Sequence, residues 1–567
     1  MVKNTQSPKY IFVVGGVISG VGKGITASSI AKILQNRGQI VTSIKIDPYV
    51  NVDAGTMNPT EHGEVFVLDD GYETDQDMGN YERFLNITLP SDNYMTTGRV
   101  YQSVIEKERS MFYKGNCVQV VPHVPMEVIT RIKTAQKKTN ADVVVIEIGG
   151  TVGEYENILF LEAARMMKTE KPNDVACVVV SYLPIPFAVG EMKTKPTQHA
   201  VRTLQSSGLW PDMIIARSAL PLDDKRKEKL AFFCNVKKEH IISAPDVKSI
   251  YDVPVNFEKE HVGDIISEIL GINTGTVSVE KKALGEQSKK DWELFVKRAN
   301  TVKNEIKIAI VGKYFDTGDF VLSDAYLSVI EAIKHASYAQ NKKPIITWVN
   351  SGDFEISDTQ KHSDVVKKLK SLNDYDGVLV PGGFGSRGIQ GKIEAIKYVR
   401  EHKIPYLGLC YGMQLAVIEF AQHVVGIAGA TSKELDEHAK DQVITIMESQ
   451  KETIKHAKYG GSMRLGAYDA KLKKGSLVAG LYNSLHVSER HRHRYEVNNK
   501  YVSELEKAGL VFSGTSPDGS LMEYIELPKK VHPFFVGTQA HPEFKSHPTS
   551  PHPLFIGFIQ ASSKKRN

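Results

Sequence analysis

Length, composition and charge restrict the class of protein to which the chain belongs. Its 567 residues are too many for one hydrophobic core and indicate two to four domains. Hydrophobic residues make up 41% and charged residues 24%, as in an ordinary globular protein. The formal charge of +5, from 71 basic and 66 acidic residues, is too small to imply a large nucleic-acid surface. The longest apolar stretch, residues 175–190, is short and interrupted by prolines, so we expect no membrane segment.

The four cysteines, Cys117, Cys177, Cys234 and Cys410, are far apart and form no C-x-x-C pair. This spacing indicates neither a disulfide framework nor a zinc site. We therefore expect a cytoplasmic protein in a reducing compartment.

The first predicted strand, residues 10–14, runs into a glycine-rich turn and then a predicted helix over residues 27–36. Glycines let backbone N–H groups converge on an anion, Lys23 adds a charge, and the helix start favours a phosphate. The spacing from Gly16 to Gly22 exceeds that of a standard P-loop by one residue, and Gly24 replaces the usual hydroxyl. Carboxylates elsewhere would then have to hold Mg²⁺. A glycine turn with a solvated lysine is the alternative.

Two further predicted strands end in charged residues. Residues 40–46 lead to Lys45 and Asp47, and residues 141–150 contain Glu147 near the strand end. In parallel sheets ligands gather at such ends. Within the acidic stretch 61–79 we single out Asp77, and we predict that Asp77 and Glu147 bind Mg²⁺. A pairing of Glu147 with Lys45 is an alternative that is compatible with this prediction.

A second phosphate-binding group is predicted after the strand at residues 174–181. Lys193 and Lys195 precede Pro196, a favoured first-turn residue, at the start of a helix over residues 197–206. Further strands at 213–216 and 241–244 flank a helix that carries Lys229. Alternating strands and helices predict an α/β fold with a doubly wound, mostly parallel sheet. Two phosphate sites on one sheet would suit a reaction between two nucleotides.

The composition changes between residues 274 and 304, where Lys, Glu, Ser and Gln dominate and Trp292 and Phe295 are the main apolar anchors. We interpret this stretch as a linker with one short helix. The predicted domains are therefore residues 1–273 and 305–567, each an α/β domain with its own sheet.

The second domain contains a candidate nucleophile. Gly408 and Gly412 flank Cys410 and permit the tight strand-to-helix turn that exposes a nucleophile, while the following helix favours a thiolate. His541 is the best candidate base, because Glu543 lies close enough in sequence to orient its ring. Backbone amides near Gly383 and at Tyr411 would form the oxyanion hole. A core cysteine is the alternative.

We predict neither a metal site nor a nucleic-acid site in the two histidine-rich stretches. The sequence RHRHR, residues 490–494, is short and flanked by Glu489 and Glu496, so we prefer a carboxylate-binding or interdomain role to nucleic-acid binding. The histidines of residues 532–552 lack the regular spacing of zinc ligands.

Several long motifs resemble those of the CTP synthases and occur in that family's order. They are GGVISGVGKG (15–24), KIDPYVNVDAGTM (45–57), HGEVFV (62–67), EIGGTVGE (147–154), GEMKTKPTQH (190–199), PGGFGSRG (381–388), GLCYGMQ (408–414), ERHRHRYEVNN (489–499) and HPEF (541–544). The second half also resembles the class I glutamine amidotransferases, whose Cys, His and Glu match Cys410, His541 and Glu543. The resemblance implies a P-loop-like amidoligase domain followed by a class I glutamine amidotransferase domain.

This resemblance implies a defined reaction. UTP O4 would attack the γ-phosphate of ATP, and ammonia from glutamine would displace phosphate at C4 to give CTP. The family is typically tetrameric, activated by GTP and inhibited by CTP; GTP contact at Arg387 is suggested by position alone, and filament formation is left open.

The resemblance also assigns residues to each ligand. Those matching the ATP site are Gly20, Val21, Gly22, Lys23, Gly24, Ile25, Lys45, Asp77, Asp246 and Val247, with Asp77 and Glu147 as Mg²⁺ ligands. Those matching the UTP and inhibitory CTP positions are Ser19, Glu154, Tyr155, Glu156, Lys193, Thr194, Lys195, Pro196, Thr197, Gln198 and Lys229. Those matching glutamine-binding positions are Gly383, Tyr411, Gly412, Met413, Gln414, Glu434 and Arg494.

The chain departs from the family pattern at two places. Glu154 and Tyr155 stand where an aspartate and an aliphatic residue are commoner, which bears on the strength of CTP feedback. Tyr411 replaces a commoner leucine, but its backbone amide is what the mechanism needs.

Two alternatives are considered. Cobyrinate-type amidases and dethiobiotin synthetases share the phosphate loop but would lack KTKPTQ; a nucleotide switch or filament scaffold would leave Cys410 structural.

Overall fold

The structure is a computed structural model that describes residues 7–188, 190–273, 275, 277–312, 323–355, 361–383, 388–447 and 463–564, without the side chains of residues 59 and 60. The chain divides into two compact units. Unit 1 comprises Met1–Ala54 and Asp77–Val296, and unit 2 comprises Gly55–Gln76 and Lys297–Asn567.

Unit 1 is built on a seven-stranded sheet in which every neighbouring pair is parallel. Its strands are short β-branched runs that are buried almost throughout, as expected for a sheet covered on both faces. The strands are β1 (Lys9–Gly15), β2 (Val41–Asp47), β5 (Tyr94–Thr96), β6 (Val143–Ile148), β7 (Val175–Tyr182), β8 (Met213–Ser218) and β9 (Ile241–Pro245). Their order across the sheet is β5-β2-β6-β1-β7-β8-β9.

Helices cover both faces of this sheet. The helices of this part of the chain are α1 (Lys23–Asn36), α3 (Asp77–Leu85), α4 (Thr97–Arg109), α5 (Val120–Thr139), α6 (Ile158–Glu170), α7 (Lys195–Ser206), α8 (Asp224–Cys234), α9 (Val253–Lys259), α10 (Val262–Leu270) and α11 (Val279–Thr301). Phe12 shares a core with residues of α4 to α8, whereas α1 packs against α3, α9 and α10. The predicted doubly wound α/β fold with parallel strands is confirmed.

The predicted short helix between the domains is instead the 23-residue α11. Its buried Trp292 donates from Nε1 to the Tyr251 carbonyl oxygen at 3.1 Å and lies 4.9 Å from the Phe84 ring. Most of its remaining residues are polar and exposed, so its length was hidden from hydrophobic periodicity.

Unit 2 contains a nine-stranded sheet with two halves. The strands are β10 (Glu305–Gly312), β11 (Lys343–Asn350), β12 (Gly377–Val380), β13 (Tyr406–Leu409), β16 (Arg464–Leu472), β17 (His486–His493), β19 (Val511–Thr515), β20 (Met522–Glu526) and β21 (Phe535–Thr538). In the order β11-β10-β12-β13-β21 they are parallel, and β20-β19-β16-β17 continue the sheet with antiparallel pairings.

Smaller elements complete unit 2. A three-stranded sheet consists of β14 (Thr431–Ser432), β15 (Gln442–Ile446) and β18 (Tyr495–Val497), and a hairpin consists of β3 (Val65–Val67) and β4 (Glu73–Asp75). The helices are α2 (Pro59–His62), α12 (Leu327–Ala339), α13 (His362–Lys370), α14 (Ile389–Glu401), α15 (Tyr411–Phe420), α16 (Leu477–Tyr482), α17 (Asn499–Lys507) and α18 (Pro553–Ser562). Across the described ranges, no helix has the length and hydropathy needed to cross a bilayer.

The segment Gly55–Gln76, which contains the β3–β4 hairpin, belongs to unit 2 although residues on both sides of it belong to unit 1. Glu73 accepts from Arg492 Nε at 2.8 Å, and Glu64 accepts from the Ser328 backbone N–H at 3.1 Å. These buried polar contacts join residues hundreds of positions apart. The predicted domain boundaries, at residues 273 and 305, assume that each domain is continuous in sequence, and they remain a prediction. The compact units are discontinuous in sequence.

Candidate active sites

The glycine-rich turn of unit 1 joins β1 to α1. Gly20 and Gly22 have φ of 70° and 84°, in the left-handed region that favours glycine, and Gly22 precedes the first residue of α1. Lys23 Nζ donates to the Gly150 carbonyl oxygen at 2.8 Å. Burial lowers the pKa of Lys23, although Glu147 opposes this effect. The lysine is therefore held beside the end of β6 rather than extended into solvent.

Lys45 holds the predicted carboxylates together. Its Nζ lies 3.0 Å from Glu147 Oε1 and 3.6 Å from Asp47 Oδ1, and it also pairs with Asp77. Tyr81 donates its hydroxyl to the second oxygen of Glu147. The pairing of Glu147 with Lys45 that the sequence left open is therefore present.

Asp77 occupies the space that a side chain at position 24 would need. An ideal Cβ on Gly24 would lie 2.1 Å from Asp77 Oδ1. In a standard P-loop this position carries the metal-binding hydroxyl. The chain has thus placed a carboxylate from α3 where the hydroxyl is missing.

The charges around this cluster are unbalanced. Three carboxylates, those of Asp47, Asp77 and Glu147, face the two ammonium groups of Lys23 and Lys45. Burial raises the pKa of Glu147, and the negative charge of Asp77 raises it further. In the described residues no group of three or more His, Cys, Asp or Glu side chains is arranged to hold a metal alone. The set fits Mg²⁺ bound by two carboxylates, with phosphates and water as the other ligands.

The predicted second phosphate-binding group lies at the carboxyl end of β7, next to β1. Thr194 precedes α7, Lys195 and Pro196 are in its first turn, and the Thr197 hydroxyl is 2.9 Å from Ser181 Oγ. Lys193 pairs with Glu191 at 2.7 Å. Lys193 lowers the pKa of Glu191, with smaller contributions from Arg226 and Lys229, which places Lys229 of α8 near the same group.

The remaining predicted nucleotide residues also follow the carboxyl ends of strands. Ser19 is exposed in the glycine turn, and Gln198 donates to Thr194 Oγ1 at 3.1 Å. Glu154 accepts from the Thr151 hydroxyl at 2.6 Å, whereas Tyr155 and Glu156 are exposed. Asp246 accepts from Arg217, and Val247 lines a small cavity with Ile25 and Phe257.

Cys410 of unit 2 has φ 50° and ψ −100°, a conformation that is rare for any residue other than glycine. Its backbone N–H donates to the Thr538 carbonyl oxygen at 2.7 Å, and α15 begins at the next residue. Gly412 allows α15 to approach β12, because an ideal Cβ there would be 2.2 Å from the Val380 oxygen. The turn has the strained geometry of a nucleophile elbow.

His541 and Glu543 lie beside this cysteine. His541 Nδ1 is 2.7 Å from Glu543 Oε1, so the other ring nitrogen is available to the Cys410 sulfur, whose charge also acts on the ring. Burial alone would lower the pKa of His541, but the charges of Glu543 and Cys410 raise it to about 10. The raised pKa favours the imidazolium form of His541 at neutral pH.

A cavity of about 110 Å³ opens onto these residues. Phe544, Arg492 and Glu64 line it and were missed from the sequence. The signal that could have found Arg492 is the RHRHR stretch, for which we prefer a carboxylate-binding or interdomain role. In the structure Arg490 pairs with Asp69 and Arg492 pairs with Glu73. The lining residues are Glu64, Val65, Ala325, Tyr326, Val329, Gly382, Gly383, Cys410, Arg492, His541, Glu543 and Phe544.

The predicted glutamine-binding residues are placed at different depths. Gly383 lines the cavity, whereas Tyr411 and Met413 have buried side chains in the core. Glu434 follows β14 and Arg494 precedes β18, and neither is among the described residues that line the cavity. Arg387, the suggested GTP contact, lies outside the described residues.

Comparisons with known proteins identify the family of the chain. The family described as "CTP synthase N-terminus" matches residues 9–272, and "Glutamine amidotransferase class-I" matches residues 321–561. A CTP synthase from Methanococcus maripaludis is 49% identical over 98% of this chain and 100% of that protein. The chain belongs to the CTP synthase family.

A second relative gives the same family assignment, and one solved structure is similar to part of the chain. A CTP synthase from Halalkalibacterium halodurans is 47% identical over 99% of the chain and 100% of its own length. A solved Trypanosoma brucei CTPS glutaminase domain with bound acivicin is 38% identical over 46% of this chain and 95% of that one, with a TM-score of 0.41. As a CTP synthase family member the chain is an enzyme, a glutamine-hydrolysing ligase that acts on nucleotides. The predicted family and enzyme class are confirmed.

Proposed function

We propose that unit 1 uses ATP to phosphorylate UTP at O4 and that ammonia, released from glutamine in unit 2, then displaces the phosphate to give CTP. One observation carries the proposal: a single chain holds both a phosphate-binding sheet edge with buried carboxylates and a Cys-His-Glu cluster on a strained turn. A scaffold with a structural cysteine would have no need of that strain.

In unit 2 the Cys410 thiolate attacks the side-chain amide carbon of glutamine. The protonated His541 ring gives its proton to the departing ammonia, and Glu543 holds the ring in the required orientation. Water then hydrolyses the resulting thioester to glutamate. Backbone N–H groups near Gly383 and at Tyr411 would stabilise the oxyanion, while Gln414, Glu434 and Arg494 would hold the substrate.

In unit 1 Lys23, Lys45 and the amino end of α1 bind the ATP phosphates, and Asp246 and Val247 contact the adenine. Asp77 and Glu147 would hold Mg²⁺, which when bound supplies positive charge that neutralises the phosphates. Lys193, Lys195, Gln198 and Lys229 bind the second nucleotide, UTP, and the product CTP shares part of this site. Activation by GTP and a homotetrameric assembly complete the proposal.

The division of labour is tested with Cys410→Ala. We expect CTP formation, followed by ultraviolet absorbance with ATP, Mg²⁺ and UTP, to be lost with glutamine and kept with ammonium. Because Cys410 belongs to unit 2 alone, the phosphorylation chemistry has no use for its sulfur. Loss of synthesis with both nitrogen sources would contradict the proposal.

The metal-binding carboxylate is tested with Glu147→Ala. This substitution leaves Lys45 without one of its partners and removes one oxygen ligand, so synthesis should fall by at least about 10³-fold even with ammonium. Glutamate release from glutamine should remain measurable and serves as the internal control. Unchanged synthesis would refute the assigned role.

A further inference from the structure

A glutamine side chain contacts the sulfur of Cys410 from the side of β21. Gln539 follows β21 directly, is 1% exposed, and places Nε2 at 3.6 Å from Cys410 Sγ. Its backbone N–H donates to the Glu523 carbonyl oxygen at 2.9 Å, which ties this residue to the neighbouring strand β20. The amide therefore approaches the reacting atom from a rigid support.

The orientation of the Gln539 amide follows from its neighbours. Gln414 Nε2 donates to the Tyr495 carbonyl oxygen at 2.8 Å and to Gln539 Oε1 at 3.1 Å. A carbonyl oxygen can only accept, so the nitrogen of Gln414 is fixed toward Tyr495, and Gln539 must present its oxygen to Gln414. The NH₂ group of Gln539 is then directed at the sulfur.

We propose that Gln539 is a catalytic residue of the glutaminase, which donates a hydrogen bond to the Cys410 thiolate and keeps the sulfur in its attacking position. Gln414 acts as a positioning residue by holding the Gln539 amide. This inference rests on the proposed glutaminase role of Cys410. A neutral donor beside an anion favours the charged form, so the thiolate gains support that does not depend on His541.

The donor also acts when the thioester is hydrolysed. In that step water adds to the carbonyl carbon, the carbon–sulfur bond breaks with its electron pair going to sulfur, and the water proton passes to His541. The sulfur regains its negative charge at this point, where Gln539 Nε2 faces it. The same hydrogen bond thus serves the start and the end of the catalytic cycle.

The test measures the rate of Cys410 alkylation by iodoacetamide against pH in the full-length protein, with the modified peptide identified by mass spectrometry. Gln539→Met keeps the length of the side chain but removes the donor, and should raise the midpoint by about one pH unit, roughly tenfold in thiolate fraction. Gln539→Glu keeps the shape but places a carboxylate beside the sulfur, and should raise it further. If Gln539 had only a structural role, the isosteric Gln539→Glu substitution would change the midpoint less than Gln539→Met.

The controls separate this inference from the proposed function. Gln422→Met removes a Gln side chain that donates to the Ala430 carbonyl oxygen at 2.7 Å in the same unit, and should leave the midpoint unchanged. Urea unfolding reports that unit 2 of each variant is folded. If alkylation abolishes glutamine-dependent synthesis but both Gln539 variants keep the wild-type midpoint, Gln539 has no such role. If alkylated wild-type enzyme still uses glutamine, the proposed function itself is wrong.

Discussion

At the scale of single residues, Glu543 sets the charge of His541, the proposed catalytic base. The pKa of His541 is about 10 because the attraction of Glu543 and Cys410 outweighs burial. A histidine with a raised pKa stabilises the fold fully below its ordinary value near 6.5, and this contribution is lost as the pH rises through about 10. The imidazolium that would protonate ammonia in the proposed reaction therefore persists through the neutral range.

We predict that Glu543→Gln moves the alkaline limit of glutamine hydrolysis to lower pH. The neutral amide removes the main cause that raises the pKa of His541, so the ring loses its proton earlier. Glutaminase kcat should fall by about 10²- to 10⁴-fold, more at pH 9 than at pH 7. A pH profile of glutamate release measures this; a parallel loss at every pH would argue against an electrostatic role.

The sequence alone predicts those site residues whose role is indicated by their immediate neighbours in the chain. Cys410 was found from its flanking glycines, and His541 and Glu543 from their two-residue spacing. Asp77 was singled out from an acidic stretch, and the structure brings it to Gly24. Gln539 and Glu64 carried no such signal, because their contacts depend on residues far away in the chain.

At the scale of elements, the turn between β13 and α15 depends on glycines that permit close packing. The backbone of β12 lies where the Cβ of any other residue at position 412 would be. Backbone atoms in the middle of a sheet cannot move aside as a flexible side chain can. The helix that follows Cys410 can therefore pack against β12 only because residue 412 has no side chain.

We predict that Gly412→Ala destabilises unit 2 by about 1–3 kcal/mol or more, because the added Cβ would be 2.2 Å from the Val380 oxygen. Urea unfolding and glutaminase activity should both report the loss. Gly480→Ala in α16 is the matched control: an added Cβ meets no described atom within 4 Å, and stability should rise by about 0.4–1 kcal/mol. Equal effects of the two substitutions would contradict this account.

The parallel strands could be predicted from the sequence, but the antiparallel strands that extend the sheet of unit 2 could not. Runs such as residues 141–150 combine β-branched residues with a helix-length spacer, which indicates buried parallel strands. The antiparallel strands β16 and β17 have mixed exposed and buried residues and gave no clear pattern. The full length of α11 was missed for the same reason, since its apolar anchors are confined to its second half.

At the scale of the whole molecule, the hairpin segment Gly55–Gln76 is joined to unit 2 by buried charges. The Glu73 and Arg492 side chains are 1% and 11% exposed, and their N···O distance is 2.8 Å. A buried pair loses most when a single partner is removed, because the other charge is left desolvated. Sequence could not predict this contact, since nothing local marks Glu73 as the partner of an arginine more than four hundred residues later.

We predict that Arg492→Met destabilises unit 2 by about 3–5 kcal/mol and that adding Glu73→Gln recovers part of the loss, because the double variant buries no unpaired charge. Denaturant unfolding of the four proteins of the cycle measures the coupling. The exposed pair Lys343 and Glu305, 3.2 Å apart and each half exposed, should couple by less than about 1 kcal/mol. A similar coupling for both pairs would refute the prediction.

Because unit 2 is discontinuous in sequence, both its translation on the ribosome and the recombination of its gene are affected. A ribosome releases the hairpin well before it has translated the arginines that will neutralise Asp69 and Glu73, so those carboxylates must wait in a nascent chain while other parts mature. For the same reason, a recombinant gene that exchanges the carboxyl-terminal half for a foreign glutaminase would have to carry codons 55–76 with it. Evolution can therefore tune the two halves separately but cannot easily shuffle them.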